Sequence, residues 1–189
     1  MVMKNKLLIF DLDGTLYDTR EVNFLSYQHA LAQEGIKLDR EFYYRNCNGR
    51  YYKDYLPDIC STISQTQMER IHETKKGCYN TYLMNAVENT FLFDMIIALT
   101  STYHIALVTT ASKKNAYDIL NTFRRRELFE LILSQEDVAC KKPDPEGFLK
   151  AMDYFKIPPE RTTIFEDSDP GIAAAQASSA NYLRINGYN

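Results

Sequence analysis

Leu7-Leu8-Ile9-Phe10-Asp11-Leu12-Asp13-Gly14-Thr15-Leu16 is the stretch on which the rest of the chain turns. Four apolar residues with no polar alternation read as a strand buried on both faces, as in a parallel sheet. Asp11 and Asp13 follow at once. Carboxylates at i and i+2 on an extended segment point the same way, here where the chain leaves the sheet. Gly14 permits a turn that other residues resist. Two carboxylates 4 Å apart repel by roughly 4 kcal/mol in a partly screened site, and a divalent cation is the usual offset. The plainer alternative is an Asp-rich turn capping a helix.

Working outward, further apolar runs predict strands at Ile105–Thr109, Leu131–Leu133, Thr162–Phe165 and Tyr182–Ile185. Helical spacing lies between them: Ala116, Leu120 and Phe123, then Phe148, Met152 and Phe155. Asp144-Pro145 and Asp169-Pro170 read as N-caps followed by proline at the first helical position. Strand and helix thus alternate from residue 105 onward, which predicts an α/β fold with a parallel sheet and helices on both faces. Almost 95 residues separate the first strand from the second, far more than one crossover needs. This interval reads as helical over Val22–Ala32, Glu41–Cys47, Tyr51–Leu56 and a long stretch from Gln65 to about Leu99. An inserted α-helical unit over 18–87 is therefore expected, with 1–17 and 88–189 as the core. Both connections would leave the sheet near the carboxyl end of the first strand, the edge where open α/β sheets bind ligands.

Three more signals carry chemistry. Glu166-Asp167-Ser168 ends a predicted strand, and a parallel sheet could bring its acids beside Asp11; acids near a helix N-terminus are the plainer reading. Hard oxygen donors without cysteine or histidine favour magnesium over zinc. Lys141-Lys142-Pro143-Asp144-Pro145 stiffens a loop around a lysine, whose fixed ammonium would neutralise charge near carboxylates and a phosphate; otherwise it is a solvated basic turn. Thr109-Thr110 offers a hydroxyl and a backbone N–H to a phosphate oxygen.

The 189 residues suit one domain with a modest insertion. Hydrophobic residues at 45% and charged ones at 25% are ordinary for a globular chain, and a net charge of -3 predicts neither nucleic acid nor a membrane as partner. No apolar run approaches the roughly 20 residues needed to span a bilayer. Cys47, Cys60, Cys78 and Cys140 form no metal-type spacing and read as reduced thiols in a cytoplasmic protein. His29, His72 and His104 fall on helical or pre-strand positions, where no catalytic role is expected. The many tyrosines, 14 in all, are assigned mostly to packing.

The order and spacing of the four signals (DxDGT at 11–15, Thr109, KPxP at 142–145, EDS at 166–168 with Gly171-Ile172) resemble the haloacid dehalogenase superfamily of phosphohydrolases. The long interval after the first motif resembles the helical cap of its phosphoglycolate phosphatase and beta-phosphoglucomutase branch. The resemblance implies a Rossmann-like core and a magnesium-dependent phosphohydrolase acting on a small-molecule phosphate ester. Asp11 would be the nucleophile that forms an aspartyl-phosphate, and Asp13 the acid and base. Thr109 and Lys142 would hold the phosphoryl group. Magnesium would sit on Asp11, the Asp13 carbonyl and Asp167, with Glu166 in support. Thr110 would also contact substrate, as would Gly49 and Arg50, whose Gly-Arg resembles a cap loop that reaches substrate in related enzymes. A sugar phosphomutase is the alternative, and a non-catalytic phosphate-binding protein a more remote one. A monomer or weak homodimer is expected. The usual Pro-Gly turn is absent around Asn85 to Phe93.

Overall fold

The computed structural model describes residues 4–47 and 50–186. These fall into two compact units, one of residues 19–86 and the other of the segments on either side.

The second of these contains a parallel sheet of five strands: β1 (Leu7–Phe10), β4 (His104–Val108), β5 (Leu131–Leu133), β6 (Thr162–Glu166) and β7 (Asn181–Arg184), in the order β5-β4-β1-β6-β7. β1 is central and pairs in parallel with β4 and β6, Phe10 lying opposite Leu107 on one side and Phe165 on the other. That position explains why all four of its residues are apolar and buried.

Alternate residues of each strand face opposite ways. Leu7, Ile9, Ala106, Val108 and Ile164 point into one core layer with Phe148, Ala151 and Met152 of α7 (Glu146–Phe155) and Ala174 and Ala175 of α8 (Asp169–Ala177). The connections from β1 to β4 and from β4 to β5 carry α5 (Thr90–Leu99) and α6 (Lys113–Thr122), which the right-handed crossover rule sets on the other face. Their buried residues there are Leu92, Phe93 and Ile96, and Ala116, Ile119 and Leu120. Phe10 stacks on Phe165 at 4.5 Å between ring centroids.

Three sequence expectations need correction. The stretch from Gln65 to Leu99 is not one helical run: α4 (Gln65–Cys78) passes into a 3-10 turn at Tyr79–Asn85, then a strand, before α5 begins. That strand, β3 (Val87–Glu88), pairs antiparallel with β2 (Tyr17–Asp18), a ladder too short to leave any periodicity in the sequence. Neither Asp-Pro pair places its aspartate as the cap. Ser168 caps α8 by accepting from the Gly171 N–H, and Pro145 occupies the cap position of α7, with Asp144 accepting from the Glu146 N–H at 2.9 Å. Where a Pro-Gly turn was missing, Asn89 caps α5, and its side-chain amide donates to the Thr15 carbonyl at 3.2 Å.

Residues 19–86 form α1 (Arg20–Gln33), α2 (Arg40–Asn46), α3 (Tyr52–Ile59) and α4. Asp39 caps α2, and Ser64 with Gln67 forms a capping box at α4. Their common core is Phe24, Tyr27, Leu31, Tyr43, Tyr55, Leu56 and Ile71. Among the described residues, no helix is long and apolar enough to cross a membrane.

Candidate active site

β1, β4 and β6 run parallel, so the segments leaving their carboxyl ends emerge along one rim. The Asp11 N–H donates to the Phe165 carbonyl at 3.0 Å, one step beyond the β1–β6 ladder, which puts Asp11 abreast of Glu166. The loop between β5 and α7 delivers Lys142, with a cis peptide bond between Lys142 and Pro143. Its ammonium donates to Asp11 Oδ1 at 2.5 Å, to Glu166 Oε1 at 2.7 Å and to the Val108 carbonyl at 3.0 Å. One cation is thus tied to the ends of three adjacent strands, and its side chain is only 7% exposed. Burial alone would lower the Lys142 pKa, but the charges of Asp11 and Glu166 overcome that and hold it above the usual lysine value.

The negative charge is less well offset. Burial pushes the Asp11 carboxyl well up; Lys142 opposes this, while repulsion from Glu166 and Asp13 adds to it. Asp167, held by the Thr15 hydroxyl at 3.1 Å, is pushed up to about 6 by burial and then by Glu166. Oxygens of Asp11, Glu166 and Asp167 converge within 4.8 Å of one another. The glycine of the first motif makes room for this. Gly14 has φ +89°, and a Cβ there would lie 2.1 Å from Asp167 Oδ2. An all-oxygen donor set carrying excess negative charge fits a hard divalent cation such as magnesium.

Glu166 has commitments of its own. Its Oε2 accepts from the Ser168 N–H at 2.9 Å and hydroxyl at 3.0 Å, while Oε1 holds Lys142. A Cβ at Gly171 would meet this carboxylate at 1.8 Å, so glycine there is what lets α8 start against it. Sequence reasoning gave Thr15, Ser168 and Gly171 no individual role, although all three stand inside the motifs it quoted.

Thr109 is buried at the end of β4, where its hydroxyl accepts from the Ala111 N–H at 3.0 Å. Thr110 is exposed beside it, and Asp13 is half-buried on the turn after β1. Asp11, Asp13, Thr109, Thr110, Lys142, Glu166 and Asp167 all belong to one unit and one rim. Arg50 belongs to the other, where it donates to the carbonyls of Asn46 and Asp54 and to the Asp58 carboxylate. Gly49 lies outside the described residues.

In an open parallel α/β sheet, the strand carboxyl ends, where these acids and the buried lysine stand, are where ligands bind. Residues 8–185 match the model of the haloacid dehalogenase-like hydrolases, and the chain belongs to that family. It is 29% identical to Protein CbbY of Rhodobacter capsulatus over 190 residues, covering 93% of this chain and 83% of the relative. It is 28% identical to a phosphorylated carbohydrates phosphatase of Thermotoga maritima, covering 95% and 83%. Among solved structures, one described as a predicted phosphoglycolate phosphatase from Haemophilus somnus superposes with a TM-score of 0.87 at 22% identity, covering 100% of this chain and 89% of that one.

Proposed function

We propose that this chain is a magnesium-dependent phosphatase of small phosphorylated compounds that works through an aspartyl-phosphate on Asp11. The observation that supports it most is the Lys142 ammonium bonded to both Asp11 and Glu166, with Asp167 converging on the same point. Asp11 attacks phosphorus and the ester P–O bond breaks, while Asp13 gives its proton to the departing oxygen. Asp13 then takes a proton from water, the water oxygen bonds to phosphorus, and Asp11 departs as inorganic phosphate forms. Lys142 orients Asp11, and with Thr109 and Thr110 it binds the phosphoryl oxygens. Asp11, the Asp13 carbonyl and Asp167 would hold magnesium, which when bound neutralises charge on the phosphoryl group. Glu166 supports this arrangement through Lys142.

The Thermotoga maritima relative is named for phosphorylated carbohydrates, so sugar phosphates are the first substrates to test. Release of inorganic phosphate from a panel of phosphate esters, with magnesium present, is the decisive assay. Activity should vanish on chelation and return with magnesium. Asp11→Asn should lose at least about a thousandfold in turnover while keeping the wild-type circular dichroism spectrum. Near-wild-type turnover by that variant would reject the nucleophile, and isomerised sugar phosphate in place of free phosphate would make the chain a phosphomutase.

A further inference from the structure

The Lys142 ammonium ends a flexible side chain, and fixing such a chain costs rotamer entropy. A backbone held independently of the ammonium's own bonds lowers that cost. The loop that carries it runs from the end of β5 to the start of α7, and Glu146, the first residue of α7, reaches back across it. Glu146 Oε1 accepts from the Ala139 N–H at 3.0 Å and Oε2 from the Cys140 N–H at 2.7 Å. Lys150, one turn along the helix, sits 2.6 Å from Oε1 and donates to the Asp137 carbonyl at 2.9 Å. The Asp144 N–H closes the loop from inside by donating to the Lys141 carbonyl at 3.0 Å. The segment between the clamp and the helix is thus a ring of residues 139–146, with Lys142 at its inward point and prolines at 143 and 145.

We infer that Glu146 is a positioning residue for catalysis: its carboxylate clamps the Ala139 and Cys140 amides and thereby sets where the Lys142 ammonium meets Asp11 and Glu166. This rests on the catalytic reading of Lys142 given above. Glu146 itself touches none of the reacting groups named there. A charge-assisted bond to a backbone N–H is stronger than a neutral one, and a pair of them fixes direction as well as distance. The neighbouring Lys150 and the two amides keep this carboxyl down to about 2, so the clamp stays charged across any working pH.

Glu146→Ala and Glu146→Gln, which retains one acceptor oxygen, test the inference on the full chain, assayed well below each variant's melting temperature. The expected result is a fall in kcat of about tenfold for alanine and less for glutamine, with KM and the magnesium activation constant within about twofold of wild type. Amide exchange at Ala139 and Cys140 should accelerate by about tenfold or more in the alanine variant. If Glu146→Ala fails to fold, the glutamine variant carries both readouts. Faster exchange with unchanged kcat would make the clamp merely structural and overturn the inference. So would unchanged exchange, or an effect confined to KM or to magnesium. Absence of phosphatase activity in the wild-type chain would instead reject the functional reading, while the exchange data would still report on the clamp.

Discussion

Both units bury polar side chains, and they deal with them in opposite ways. Within residues 19–86, Tyr27, Tyr43, Tyr55, Cys47 and His72 crowd a helical core. Burial drives each toward its neutral form: Tyr27 is pushed up to about 12, Cys47 up to about 11, and Tyr43 and Tyr55 upward as well. His72, stacked flat on Tyr52 at 4.0 Å and bonded to the Tyr27 hydroxyl at 3.1 Å, is pushed down to about 4 by burial and by Lys75 and Lys76. At the rim of the sheet the side chains are nearly as buried, yet Lys142 is held charged by two carboxylates. At Lys142 the charge of the neighbours outweighs burial, whereas at Asp11 burial wins over the single ammonium beside it. A neutral cluster is finished as a core, whereas a cluster left with excess negative charge has a use for a cation.

The contrast is sharpest at Lys142. Lys142→Met removes the one cation between Asp11 and Glu166, and stranding buried charges in this way costs about 3–5 kcal/mol. Urea unfolding at pH 8 should reveal that loss. At pH 5 the loss should be smaller, because Asp11, whose carboxyl burial already pushes well up, can take up a proton; an equal loss at both values would break the comparison. Asp167 should have a smaller effect. Its folded pKa is raised to about 6, so its contribution to the metal-free fold is present below the unfolded value near 3.8 and is lost as pH rises through 6. After allowance for its partial exposure this is of order 1–2 kcal/mol. Magnesium should accordingly raise the melting temperature more at pH 7.5 than at pH 5, and Asp167→Asn should reduce that difference, leaving the part that Asp11 carries.

The smallest effect belongs to the neutral cluster, and its sign is opposite. The folded pKa of His72 lies below the unfolded value near 6.5, so stability present above 6.5 is lost as pH falls toward 4. Half-burial limits this to about 1 kcal/mol. His72→Phe keeps a ring against Tyr52 and should flatten the unfolding free energy over that range, measured by urea titration at intervals of pH. An unchanged pH dependence would remove His72 from the comparison.

Much of this was legible in the chain because parallel strands announce themselves. Leu7–Phe10 and Leu131–Leu133 are uninterrupted apolar runs, and their observed limits are those expected. The DxDGT and EDS motifs stand where such runs stop, so their place at strand ends needed only the alternation of strand and helix. The β2–β3 ladder was not legible, since two residues on each strand carry no period. The caps of α7 and α8 were each placed one residue off. The choice between Asp169 and Ser168, or between Asp144 and Pro145, depends on backbone angles that the pattern leaves open. Glu146 was passed over because an acid in the first turn of a helix is ordinary, and only the path of the loop shows which amides it meets.

By itself, the sequence determined the layered α/β class, the helical interval between the first two sheet strands, and which residue types stand at the carboxyl ends of the strands. Those follow from local periodicity and from where apolar runs stop. Tertiary structure alone decided that one ammonium, 131 residues along the chain from Asp11, bridges it to Glu166, and that Glu166 spends its other oxygen on Ser168. Such pairings depend on strand order and on the course of a loop. Both are set by the packing of the whole sheet rather than by any neighbouring stretch of residues.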